Sequence, residues 1–152
     1  MVKCIVEINS STVGSTGRIM FMIAETARKH GFTVYTCSAV HGNEKRIESK
    51  NHIYIGSKLD KKIHLLLAKK TGYNGCFSHF TTAQFLKKID KLQPDLIHFH
   101  NLHNCYINLP MLFDYVKKKN IPVVWTLHDC WAYTGHCPYY DFVHCNKWMT
   151  GC

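Results

Sequence analysis

Lys3-Cys4-Ile5-Val6-Glu7-Ile8, then Asn9 to Gly17, then Arg18-Ile19-Met20-Phe21-Met22-Ile23-Ala24-Glu25-Thr26-Ala27-Arg28-Lys29-His30 is the stretch whose reading decides the fold. Its first six residues have the composition of a short buried strand. A Ser/Thr/Gly loop follows. Residues 18–30 put Ile19, Met20, Ile23, Ala24 and Ala27 on one helical face, and Gly31 supplies a stop. Residues 32–38, Phe-Thr-Val-Tyr-Thr-Cys-Ser, then read as a second strand. Strand, helix and strand in this order imply parallel pairing through a right-handed crossover.

The same alternation continues outward. Residues 52–55 and 95–99 read as strands, 58–70 and 78–92 as helices, and Pro94 closes the second helix. Residues 107–119 contain a helix ending in Lys117-Lys118-Lys119, where cations suit the helix dipole. Residues 122–127 read as the last strand. The predicted fold is a three-layer, Rossmann-like α/β domain over 1–128 with a mostly parallel sheet. The Cys- and aromatic-rich segment 129–152 shows neither helical nor strand period and is expected to be an irregular loop.

Composition narrows the function classes. The chain has 152 residues, 46% apolar and 19% charged, which suits one globular domain and excludes a disordered tail. Its apolar runs are far shorter than the roughly 20 residues a membrane-spanning helix needs. The first residues run straight into a strand and resemble no signal peptide. A cytoplasmic location is expected. The net charge of +9 favours anionic partners. Nucleic acid is not among those expected, because no RNA-binding motif or aromatic-studded basic strand is present.

In an open parallel sheet, ligands gather at the carboxyl ends of strands. Three polar stretches fall there: Ser10 to Arg18, His100 to Asn104, and His128-Asp129. Gly14-Ser15-Thr16-Gly17 before a helix offers backbone N–H groups to an anion. A plain strand-to-helix turn explains it equally well, and the dinucleotide fingerprint and P-loop patterns are absent. His98 and His100 project from one face of their strand. With His103 they form a candidate zinc set, but strand-end histidines more commonly make hydrogen bonds. His128 has a pKa tunable about neutrality and sits where a substrate-contacting residue sits; a capping role fits the same position.

Eight cysteines are many for a reducing compartment. Cys4, Cys37, Cys76 and Cys105 are scattered and read as buried apolar side chains. Cys130, Cys137, Cys145 and Cys152 crowd the end of the chain without the paired Cys-x-x-Cys of a zinc finger. Cys137, Cys145 and Cys152 are candidate ligands of a structural zinc, against the alternative of free thiols packed by aromatics. Residues 58–70 put Leu59, Ile63, Leu66 and Leu67 on one helical face ringed by lysines. That pattern fits an amphipathic helix covering the sheet, which is the expectation here, or an interfacial helix on anionic lipid.

Taken together, Gly14-Ser15-Thr16-Gly17-Arg18, Pro94-Asp95-Leu96-Ile97-His98, Thr126-Leu127-His128-Asp129-Cys130-Trp131 and Trp131-Ala132-Tyr133-Thr134-Gly135-His136-Cys137 resemble a known family. They are similar to the N-terminal, acceptor-side domain of bacterial retaining glycosyltransferases with two Rossmann domains, the GT-B class. The likeness is to capsule and exopolysaccharide enzymes of the colanic-acid type, and it covers essentially the whole chain.

The resemblance implies transfer of a sugar from a nucleotide sugar to a surface-glycan acceptor, free or lipid-linked, with retained anomeric configuration. It implies that Gly14, Ser15, Thr16, Gly17 and Arg18 form a donor-phosphate loop and that His128 reaches the transferred sugar as catalytic residue. His100, Asn101, His103 and Asp129 would line the acceptor side. No cofactor is implied for catalysis, and a structural zinc is implied only for the full-length protein. The location would be cytoplasmic and, on the reading of residues 58–70 as an interfacial helix, also peripheral at the inner face of the membrane.

The donor-binding half and its glutamate pair do not appear before Cys152. The expectation is therefore an interrupted chain, inactive alone, whose parent is a glycosyltransferase. Two other readings stay open on sequence alone: a non-catalytic binding module and a small Cys-rich zinc protein.

Overall fold

The structure, a computed structural model, describes residues 3–40 and 47–151. Elements follow in the order β1 (Cys4–Asn9), α1 (Gly14–Lys29), β2 (Thr33–Ala39), β3 (His52–Ile55), α2 (Lys58–Thr71), α3 (His79–Leu92), β4 (Leu96–Phe99), α4 (Leu109–Lys119) and β5 (Val123–Trp125). The five strands form one parallel sheet in the order β3-β2-β1-β4-β5. Strand order reverses direction at β1, so β1 and β4 flank the point where crossovers leave to opposite sides. That point is where such sheets open a crevice at their carboxyl edge.

The sheet is covered on two faces, as the predicted α/β class requires. Val6, Ile8, Cys37, Ala39, Ile97 and Phe99 share a core with Phe85 and Ile89 of α3 and Leu112 of α4. Each such fully buried aliphatic or aromatic side chain contributes about 1.5–3 kcal/mol. On the opposite face Ile5 and Val34 pack on Ala24 of α1. That second cluster is small, because the same face carries Glu7, Asn9, Thr36, Ser38, His98 and His100, all of them buried. Strands covered on both faces ordinarily read as continuous apolar runs. A buried polar row in the central strands is a departure, and it leads to the site.

Three expectations are corrected. First, α1 begins at Gly14 rather than Arg18, so Gly14 to Gly17 form the first turn of the helix instead of a loop before it. Second, the segment after residue 129 is not without regular structure: it holds α5 (Trp131–Thr134), a 3-10 turn (Asp141–Val143) and α6 (Lys147–Thr150). These pieces are single turns, too short for a periodic pattern to register. Third, the apolar face of α2 does not cover the sheet. Leu59 is 67% exposed, Ile63 50% and Leu66 66%, while the helix buries His64. Ser78 Oγ donates to Asp60 Oδ2 at 2.7 Å and lies 2.8 Å from His64 Nδ1, a polar clip joining α2 to the start of α3. Among the described residues no helix is long and apolar enough to cross a membrane.

Candidate active site

Glu7 sits in mid-β1 and is 1% exposed. A carboxylate in such a place must be paired and hydrogen-bonded. The register supplies the partners: Glu7 lies opposite His98 of β4. His98 Nδ1 is 3.0 Å and His100 Nε2 2.8 Å from the same oxygen, Glu7 Oε2. Burial alone pushes the Glu7 carboxyl up. The hydrogen bonds from His100 and His98 outweigh it and hold Glu7 below the ordinary carboxylate range.

The network runs outward from there to the carboxyl edge. His100 Nδ1 is 2.9 Å from His128 Nε2, and His98 Nε2 is 2.8 Å from Thr126 Oγ1. His128 is held below the usual imidazole value, by burial first and then by His100 and His98, with Asp129 acting in the opposite sense. His103 Nε2 donates to Asp129 Oδ2 at 2.9 Å. Asn9, the last residue of β1, joins two loops. Its Oδ1 accepts from the Asn101 amide at 3.2 Å, and its Nδ2 donates to Ser11 O and to Thr16 Oγ1. Asn104 Nδ2 reaches Ser10 Oγ at 3.1 Å. The stretches after β1, β4 and β5 thus meet on one edge. His100, Asn101, His103, His128 and Asp129 come together there, around a cavity of about 10 Å³. That is scarcely room for one water. The edge offers a polar surface to lie against, not a pocket that encloses a ligand.

Gly14, Ser15 and Arg18 are exposed at the start of α1. The N-cap residue, Val13, has no side-chain acceptor for the first-turn amides, and no acidic residue stands in that turn. The end of the helix therefore keeps its partial positive charge. The two glycines differ in what they permit. Gly14 has φ +74° with open space around it, whereas a Cβ on Gly17 would lie 2.5 Å from the Thr12 carbonyl carbon. Close backbone approach is thus the business of Gly17; Gly14 supplies a left-handed turn.

Reading the sequence alone misses Glu7, Asn9, Thr126 and Trp131. Glu7 carried a signal: a lone carboxylate in an otherwise apolar strand predicted to be buried. Trp131 lines the edge, and its Nε1 is a buried donor with no hydrogen-bond partner among the described residues.

Among the described residues the group of three donors near enough for one metal ion is Glu7, His98 and His100. His103 does not belong to it. The spacing suits hydrogen bonds rather than zinc. Ligands about 2.0–2.1 Å from a tetrahedral ion stand roughly 3.3 Å apart, whereas Glu7 Oε2 is 2.8 Å from His100 Nε2 and 3.0 Å from His98 Nδ1. In the tail, Cys137 and Cys145 are half-buried free thiols. They join no three-donor group among the described residues. Cys152 lies outside those residues, and the described thiols do not by themselves fit a zinc centre.

The chain matches Glycosyltransferase Family 4 over residues 16–150 and belongs to that family. Over 64 residues, 39% of this chain, it is 42% identical to the "Putative colanic acid biosynthesis glycosyl transferase WcaC" of Escherichia coli (strain K12), and that stretch spans 15% of the relative's length. A Rossmann-like parallel sheet with helices on both faces is the architecture expected of one half of a GT-B enzyme.

Proposed function

We propose that this chain is the acceptor-side half of a retaining glycosyltransferase of surface-polysaccharide synthesis. The observation that carries the reading is the convergence of His128, His100, His103 and Asp129 on one carboxyl edge, on a chain of this family. The family reaction breaks the bond between the anomeric carbon and a nucleoside diphosphate. It forms a bond from that carbon to an acceptor hydroxyl, whose proton leaves. The shallow edge fits a cleft completed by a second, donor-binding domain. The N-terminus of α1, with Arg18 nearby in sequence, would face the diphosphate, while His128 would contact the sugar. Lipid-linked glycan is the acceptor class that agrees with the exposed, lysine-flanked apolar face of α2.

The test uses the full-length parent enzyme with nucleotide sugar and acceptor. His128→Ala should lower turnover by about 10²-fold or more, the cost of losing one contact aimed at the reacting centre, with unchanged thermal unfolding. Near-normal turnover in a folded variant would reject the assignment. The 152-residue chain alone should show no transfer above buffer, because donor contacts on a second domain are needed to stabilise the transition state.

A further inference from the structure

Glu7, His100 and His128 form a continuous line from the buried middle of the central strand to the exposed edge. Glu7 Oε2 is 2.8 Å from His100 Nε2, and His100 Nδ1 is 2.9 Å from His128 Nε2. The His100 and His128 ring planes differ by only 15° with centroids 5.2 Å apart. That separation equals the nitrogen–nitrogen distance plus about one ring radius on each side. The two imidazoles therefore meet edge to edge in a common plane, as an in-line N–H···N bond requires, and not face to face.

Donor–acceptor accounting along this line has one solution for imidazoles that carry a single ring proton. A carboxylate only accepts, so His100 must donate from Nε2. Its Nδ1 then holds a lone pair and must accept. His128 therefore carries its proton on Nε2, and its Nδ1 is left bare. His98 cannot break the sequence. Its Nδ1 donates to the same Glu7 oxygen, and its Nε2 is occupied with Thr126 Oγ1. Both His100 and Glu7 are 1% exposed, so water does not compete for either link.

We propose that Glu7 and His100 are positioning residues that lock His128 in the tautomer with a bare Nδ1, so that His128 acts as a hydrogen-bond acceptor. The ligand group it takes is a donor, a sugar hydroxyl, and not a phosphate oxygen, which would need an N–H. The consequence for substrate binding rests on the proposed contact between His128 and the sugar. The tautomer itself does not, and it is measured without substrate.

The experiment is two-bond ¹H–¹⁵N correlation of the histidine rings in this 152-residue chain, labelled with ¹⁵N, near neutral pH. In the wild type, His128 should show a pyrrole-type Nε2 and a pyridine-type Nδ1. Glu7→Gln keeps a carbonyl acceptor at the same place and should preserve that pattern. Glu7→Leu removes the acceptor, and His128 should lose its single tautomer or convert to the Nδ1–H form. A proton on His128 Nδ1 in the wild type or in Glu7→Gln would overturn the proposal, whether or not Glu7→Leu folds. A folded Glu7→Leu with an unchanged His128 pattern would overturn it too. Stoichiometric Zn²⁺ should leave the His98 and His100 signals in place; displacement of both would make the cluster a metal site and end the hydrogen-bond reading. Failure of the His128→Ala assay in the parent enzyme would instead remove the sugar contact and leave the tautomer standing.

Discussion

His103 Nε2 donates to Asp129 Oδ2 at 2.9 Å, and the other oxygen of the same carboxylate accepts the Trp131 amide at 2.9 Å. One side chain thus ties the loop after β4 to the loop after β5 and starts α5 as well. Hydrogen bonds to charged groups contribute about 1.5–3 kcal/mol each when partly shielded from water. Asp129→Ala should cost roughly 1–3 kcal/mol in urea unfolding and open the segment after residue 129 to protease before global unfolding. Unchanged stability together with unchanged cleavage would show that the carboxylate does not hold the edge together.

Gly17 and Gly14 separate two effects that look alike in sequence. A methyl group on Gly17 would collide with backbone atoms of Thr12, which cannot rotate away as a side chain can. Gly17→Ala should destabilise by about 1–3 kcal/mol, the usual cost of overpacking. At Gly14 the space is open and only the positive φ is strained, a cost of about 1–2 kcal/mol. The two variants should also differ in kind. Gly17→Ala should displace the loop after β1, seen as amide shifts at Ser11 and Thr12, whereas Gly14→Ala should leave those signals in place. The reverse pattern would show that the close approach is not at Gly17.

The alternation of strands and helices was legible because β-branched runs such as Ile5-Val6 and Val123-Val124 and helical stripes such as Met20 and Ala24 are local signals. The gathering of His100, His103, His128 and Asp129 followed from topology, since parallel strands put all their carboxyl ends on one edge. Other features depend on distant residues and were not readable. Gly17 looks like a loop glycine until Thr12 is seen against it. Periodicity in α2 marks which residues share a face but not what that face meets. Glu7 acquires meaning only from the register that sets it opposite His98.

His52 gives a pH dependence with a definite sign. Burial holds its pKa down to about 4 from an ordinary 6.5, and both ring nitrogens meet hydroxyls, Thr36 Oγ1 at 2.8 Å and Ser38 Oγ at 3.2 Å. The folded state therefore prefers the neutral ring. The stability this contributes is fully present above about pH 6.5 and is lost as pH falls through about 4. Since the ring is only partly buried, solvent screening reduces the effect to about 1–2 kcal/mol. Unfolding free energies of the wild type and His52→Gln, measured at about pH 7 and about pH 4.5, isolate it from other titrating groups. The wild type should lose about 1 kcal/mol or more relative to the variant on acidification. Parallel curves would mean the ring protonates in the folded state without penalty.

The face of α2 decides between packing and docking. Leu59, Ile63 and Leu66 are at least half exposed, and Lys62, Lys69 and Lys70 are exposed on the same helix. Such an arrangement suits the interface of an anionic bilayer, where apolar side chains enter the acyl boundary and each lysine adds about 1 kcal/mol. The chain should co-sediment with vesicles containing anionic lipid and not with purely zwitterionic ones, and added salt should weaken the binding. Leu59→Glu with Leu66→Glu should abolish sedimentation while leaving urea unfolding within about 0.5 kcal/mol of the wild type, as surface substitutions do. A large loss of stability in that double variant would place the face inside a packed interface. Vesicle binding indifferent to lipid charge and salt would remove the membrane reading altogether.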